Sequence, residues 1–128
     1  MKNFIMILFC VLLGSVAQLS LKNGLTSVGR FEGEIAGASS FIASFVAFLM
    51  RAFRNPFVLF GFLLYGVASL AWMIVVSRVP LSLAYPMIAL TYVIVVIMSR
   101  VLFNEDVSPL RFASLGVICL GVFMLSRS

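Results

Sequence analysis

Histidine is absent from the 128 residues, and only four acidic side chains occur: Glu32, Glu34, Glu105 and Asp106. Without an imidazole there is neither a His-based metal site nor a His general base. No apolar stretch contains a carboxylate. Membrane carriers that exchange protons for cations usually hold an intramembrane Asp or Glu, because that group can bind either species in turn. Its absence argues against a proton-coupled cation pump of that design, and against a cation channel built on an acidic ring. Two cysteines, Cys10 and Cys119, lie inside apolar stretches and read as buried small apolar residues. Two thiols alone make a poor metal site. With no nucleophile–base pair in view, no catalytic residue, metal or cofactor is expected. Charge of either sign is also scarce, at 10% of residues, where a soluble domain needs about a quarter.

What fills the chain instead is apolar: 63% of its residues. Spanning a hydrocarbon core takes roughly 20 helical residues. The sequence offers four such stretches: Phe4 to Leu21, Phe57 to Ser77, Leu81 to Ser99, and Pro109 to Ser126. Ser108-Pro109 reads as the cap and first residue of the last one. The first run continues into Gln18 and Lys22 with no clear small-x-small site, so it is read as a span and not as a cleaved signal. Between the first two spans, a run over about residues 39–54 is too short to cross. Phe41, Phe45 and Phe48 recur there at helical spacing, followed by Arg51 and Arg54. It is read as an interfacial or half-embedded helix, with a fifth span starting near Ile35 as the alternative. The expected fold is an all-α integral membrane protein: a four-helix bundle in a single domain, with this extra helix before the second span.

The basic residues divide unequally. Lys22, Arg30, Arg51, Arg54, Arg100 and Arg111 lie on one side, and Lys2, Arg78 and Arg127 on the other. The positive-inside rule would then place both termini outside the cytoplasm, with dual topology as the alternative. A net charge of +5 suits contact with anionic headgroups. The scattered basic residues give no nucleic-acid patch.

Polar and aromatic residues share helical faces within the spans. Gly14, Gln18 and Lys22 are each four apart; Gly61, Tyr65, Ser69 and Trp72 follow at intervals of 4, 4 and 3. Ser82, Tyr85, Ala89, Tyr92 and Ser99 form a third stripe. An unsatisfied amide in lipid costs several kcal/mol, so Gln18 needs partners or water. Such residues also serve as glue between membrane helices and as interfacial anchors, and both readings stay open for each residue alone. Three such faces together suggest a shared cavity for a ligand polar at one end and greasy at the other. Pro86 either bends the third span or sits as an early-helix proline.

The run from Leu81 to Leu125 resembles the drug/metabolite transporter (EamA-like) superfamily, and its four-span branch in particular. The resemblance rests on the LS-x-AY start, the Glu105-Asp106 pair and the closing R-x-x-x-x-G-V-x-x-x-x-G-V pattern, with AQLSLKNG from Ala17 to Gly24. Small multidrug resistance proteins, one branch, carry an intramembrane Glu in the first span. Aligning the shared L-x-K places Gly14 there, and Ile88 and Leu90-Thr91-Tyr92 replace that branch's Trp and glycine hinge. The chain is more similar to the other branch, the aminoarabinose-phosphoundecaprenol flippase subunits, at Ala17 to Leu21, Trp72, Leu81-Ser82, Ala84-Tyr85 and Tyr92-Val93. Pro86 and the basic Lys22 depart from its pattern.

That resemblance implies a multi-pass protein of the bacterial inner membrane that moves a polyprenyl-phosphate-linked sugar or similar amphipathic lipid. Gln18, Ser69 and Ser82 would hydrogen-bond the head, and Tyr65, Trp72, Tyr85 and Tyr92 would stack on it. Lys22 would pair with the phosphate, with Arg78 a weaker candidate at the other face. Four helices make a thin wall, so a homodimer or a heterodimer with a sister subunit is expected. Ala113, Gly116 and Gly121 would seat the partner or serve ordinary internal packing. Two other functions compete: a small multidrug or metabolite exporter with a different coupling group, and an accessory subunit of a membrane glycosyltransferase.

Overall fold

The computed structural model describes residues 1–31 and 38–128. They form α1 (Lys2–Val28), α2 (Ala38–Phe53), α3 (Pro56–Arg78), α4 (Leu81–Ile88), α5 (Leu90–Phe103) and α6 (Pro109–Arg127). Taking α4 and α5 as one unit, four helical units are long and apolar enough to cross a membrane. The chain is thus an all-α membrane bundle, and α2 is a shorter apolar helix before the second span. The start of a fifth span near Ile35, like Glu32 and Glu34, falls outside the described residues.

Local chemistry sets the helix boundaries. Asn55 caps α3, its side-chain oxygen accepting from the Phe57 amide at 2.9 Å, with Pro56 as first helical residue. Ser108 does the same for α6, accepting from the Arg111 amide. Asn104 ends α5 in the left-handed conformation, with φ 52°, which a short polar side chain tolerates. At 27 residues α1 is about 40 Å long, roughly 10 Å more than the hydrocarbon core. The helix therefore outruns the apolar stretch that ends at Leu21, and Lys22 begins its excess.

The third span is not the continuous helix that its apolar run from Leu81 to Ser99 suggests. It breaks at Ala89 and resumes to Phe103. Pro86 has no amide to donate and displaces the carbonyl one turn earlier. Just downstream the Ala89 amide bonds to the Pro86 carbonyl, three residues back, at 3.0 Å. Pro86 thus acts as a helix breaker.

The tightest seam joins α1 to α3. A Cβ on Gly24 would lie 2.6 Å from Val58 Cγ2 and 2.8 Å from the Val58 amide nitrogen. One on Gly61 would lie 2.7 Å from Leu21 Cγ and 3.1 Å from the Ala17 carbonyl oxygen. Polar bonds pin the same seam. Ser20 donates to the Phe57 carbonyl at 2.8 Å, and the Asn55 amide donates to the Gly24 carbonyl at 3.1 Å. Toward the other end a small core gathers Ile7, Cys10 and Val11 with Val75, Val79, Ala84, Met87 and Val122. Cys10 is buried as expected, but Cys119 is exposed. The reason is that α6 buries only Leu115 and Val122. Large apolar side chains such as Phe60, Leu63, Leu70, Met73, Val117 and Met124 remain exposed. In water so much apolar surface would drive association, whereas lipid matches it.

Gly24→Ala is expected to destabilise the bundle by about 1–3 kcal/mol through overpacking against backbone. Gly66→Ala, where nothing lies within 4 Å of an added Cβ, is expected to leave stability unchanged or slightly raised. Circular-dichroism unfolding in mixed micelles checks the pair.

Candidate functional site: a cavity and its charged mouth

Between α1, α3 and the broken third span lies a cavity of about 450 Å³. Helix α1 supplies Cys10, Gly14 and Gln18, one turn apart, and α3 supplies Tyr65, Ser69 and Trp72. Ile88 and Thr91 close the third side. Most of the wall is apolar. Gln18 is exposed to this space, and its amide makes no hydrogen bond among the described residues. The Ser69 hydroxyl donates to the Tyr65 carbonyl at 2.8 Å, so toward a ligand it offers lone pairs and not a proton. Thr91 is 8% exposed.

A second cavity, about 340 Å³, adjoins the first at Gln18, which lines both. Lys22, Ser99, Glu105 and Arg111 stand around it. Lys22 Nζ lies 2.7 Å from Glu105 Oε1. The loop from Asn104 to Ser108 makes this possible: left-handed Asn104 turns the chain off α5, and Glu105 follows at once. The hydrogen bond and charge of Lys22 hold the Glu105 carboxyl below the usual carboxylate range. The Ser99 hydroxyl and the Arg111 charge add to that, while partial desolvation opposes it. Lys22 is therefore paired with a carboxylate of its own chain in this structure. Arg78 lies in a third cavity with Asn3 and Ser126, at the opposite end of α1.

Of the eight expected site residues, Gln18, Tyr65, Ser69 and Trp72 share the central cavity, and Lys22 stands at its charged neighbour. Ser82, Tyr85 and Tyr92 line none of the three cavities. Tyr85 meets the Trp72 ring edge-on with centroids 6.2 Å apart, which places it at the rim. Tyr92 is 62% exposed and points elsewhere. The break at Ala89 ends the stripe that joined these residues in sequence. In its place the third span gives the cavity Ile88 and Thr91, one on each side of the break, and only Thr91 is a polar marker.

A multi-pass helical bundle with a side cavity, apolar for most of its wall and charged at one mouth, has the build of a membrane transport protein. The chain belongs to the family of 4-amino-4-deoxy-L-arabinose-phosphoundecaprenol flippase subunits. A probable ArnF subunit of Photorhabdus laumondii is 34% identical over 134 residues, covering 99% of this chain and 98% of its own. Probable ArnE subunits are similar over shorter stretches. That of Pseudomonas savastanoi is 30% identical over 62% of this chain and 69% of its own, and that of Pseudomonas aeruginosa 37% over 59% and 65%. The chain thus matches about two thirds of the length of these ArnE relatives. No family model matches the chain, and no solved structure does. The relatives are named for transport and not for catalysis, and with the four spans they place this chain as a multi-pass protein of the inner membrane.

Because the Glu105 value is lowered in the folded state, its ion pair contributes above the ordinary carboxyl range and is lost as pH falls through the lowered value. A carboxyl-carbon NMR titration should place Glu105 below the free side chain's range. Lys22→Gln should move it upward.

Proposed function

We propose that this chain is one subunit of a flippase that carries 4-amino-4-deoxy-L-arabinose-phosphoundecaprenol, or a closely similar lipid-linked sugar, across the bacterial inner membrane. The observation that carries the reading is the side cavity that meets a charged cavity at Gln18, in a chain akin along its whole length to a flippase subunit. Such a lipid has a polar head and a long apolar tail. The head must avoid hydrocarbon, where each unpaired polar group costs several kcal/mol, while the tail can remain in lipid. The Gln18 amide, without a hydrogen-bond partner among the described residues, meets the head, Ser69 accepts from a sugar hydroxyl, and the rings of Tyr65 and Trp72 give it flat apolar faces. Tyr85 extends that surface at the rim. Ser82 and Tyr92 would join only with a different setting of α4 against α5. In this reading the chain is a four-span member of the drug/metabolite transporter superfamily.

The relatives are named as subunits, and the cavity is open on one side as a single copy would leave it. A second chain, either a sister subunit or another copy, closes it, as inverted halves do in many transporters. Helix α6 is the seat: nothing lies within 4 Å of an added Cβ at Gly116 or Gly121, so another backbone can approach closely there. The short helix α2, with Arg51 and the nearby Arg54 after an aromatic face, lies along the membrane surface.

Native mass spectrometry of the protein extracted with its own lipids tests the function. A co-purified polyprenyl-phosphate sugar is expected, and Gln18→Ala or Trp72→Ala should lower its retention about tenfold, the effect of one lost buried contact. A clean spectrum with tight binding of quaternary ammonium would show an exporter instead. Association with a glycosyltransferase, without lipid translocation in reconstituted vesicles, would show an accessory subunit. For the partner, Gly116→Leu is expected to abolish cross-linking to the second chain, while Gly66→Leu preserves it.

A further inference from the structure

Lys22 and Glu105 form an ion pair whose side chains are 55% and 40% exposed, and pairs so exposed add little to stability. Its position is what sets it apart. The pair stands in the wall of a concave site beside Arg111 and Ser99, one helical turn along α1 from Gln18 and the central cavity. Two cations and one anion therefore surround one space. A simple phosphate entering it would satisfy Lys22 and Arg111 but strand Glu105. A simple amine would satisfy Glu105 and strand Lys22. Only a head that carries both charges lets each protein group trade one partner for another.

We propose that the Lys22–Glu105 pair is an exchangeable binding site for a zwitterionic lipid head, taking its phosphate oxygens on Lys22 and Arg111 and its primary ammonium on Glu105. The inference rests on the flippase reading for the identity of the lipid. Its chemistry, a phosphodiester anion with a tethered primary amine, is shared by the amino-sugar phosphate and by phosphatidylethanolamine. In the closed state the two side chains satisfy each other, so the site holds no unpaired charge while it waits. On arrival of the head, the phosphate oxygens replace the carboxylate at Lys22, and the ammonium replaces Lys22 at the carboxylate. Lys22 and Glu105 each keep a charge-assisted partner before and after the exchange. Arg111 adds the donor that favours the loaded state. Gln18 then stands one turn deeper, able to follow the head into the central cavity.

The test is native mass spectrometry of the full chain in micelles with five added lipids. These are the undecaprenyl phosphodiester of 4-amino-4-deoxy-L-arabinose, the same ester with a hydroxyl in place of the amine, undecaprenyl phosphate, phosphatidylethanolamine and phosphatidylglycerol. The wild-type chain is expected to favour the amino ester over the hydroxy ester about tenfold, the worth of one charged hydrogen bond. Glu105→Gln should erase that preference while keeping the hydroxy ester bound. Lys22→Gln should weaken both esters alike, Arg111→Gln should do so less, and Glu105→Asp and Lys22→Arg should largely restore the wild-type pattern. Unchanged helicity and melting of each variant separate loss of binding from loss of fold. Equal binding of the two esters by the wild type, or equal weakening of both by Glu105→Gln, overturns the proposal. If neither ester binds, but phosphatidylethanolamine is preferred over phosphatidylglycerol and Glu105→Gln abolishes this, the site stands and the flippase reading falls. Preference for the amino ester over phosphatidylethanolamine assigns the site to the lipid-linked sugar.

Discussion

The close approach of α1 and α3 at Gly24 and Gly61 sets where the rest of the bundle can lie. In lipid, helices gain nothing by hiding apolar side chains from an apolar surrounding, so they are held by backbone-to-backbone contact and a few polar bonds. Here the contact is tight enough that a single methyl group at Gly24 would press on the Val58 amide. Ser20 and Asn55 lock the register of the two helices with hydrogen bonds across the seam. Along α1, Ala17 presents its carbonyl to Gly61 while the next residue, Gln18, faces the cavity. The wall of the site is thus the flank of the seam, and its shape is inherited from the packing.

The same economy explains why the polar chemistry collects at one end. Within the spans the described hydroxyl side chains largely return to their own helix, as Ser15 does to Val11 and Ser69 to Tyr65. Charges stay near helix ends, where long side chains reach water. Helix α1 exceeds the hydrocarbon thickness, and its surplus carries Lys22. Helix α5 ends at left-handed Asn104 and delivers Glu105 beside it. Neither helix alone makes a charged mouth. The overhang of one and the stop of the other produce it together.

Much of this was legible in the sequence because lipid imposes simple rules. Spanning length and the capping signals at Ser108-Pro109 are local properties, readable residue by residue. The faces of α1 and α3 were legible for the same reason: each is an uninterrupted helix, so spacing of three and four maps onto one side. The third span broke that logic. Pro86 stops helical bookkeeping at Ala89, and Tyr85 and Tyr92 both stay outside the cavity lining, while Ile88 and Thr91 take that place. The partner of Lys22 was hidden for another reason. Eighty-odd residues separate Lys22 from Glu105, and no periodicity reports a contact made through a loop.

The absence of a carboxylate within the spans bears on energetics as well as on substrate. Moving a net charge across a membrane potential involves about 2.3 kcal/mol per 100 mV, and a carrier that moves charged cargo against the potential must draw that work from a coupled ion or another energy source. A head with one phosphate charge and one ammonium charge crosses with no net electrical work. Such a cargo needs no titrating group at mid-membrane, only donors, acceptors and flat apolar faces along its route. The central cavity carries that set in Gln18, Ser69, Tyr65 and Trp72, while the ion pair stands in the adjoining cavity, past the apolar run of α1 that ends at Leu21. On the proposed function, downhill transfer would suffice to move such a head if the lipid were consumed on the far side. The chain's missing charge and the neutrality of its proposed cargo are two consequences of the same electrostatic constraint.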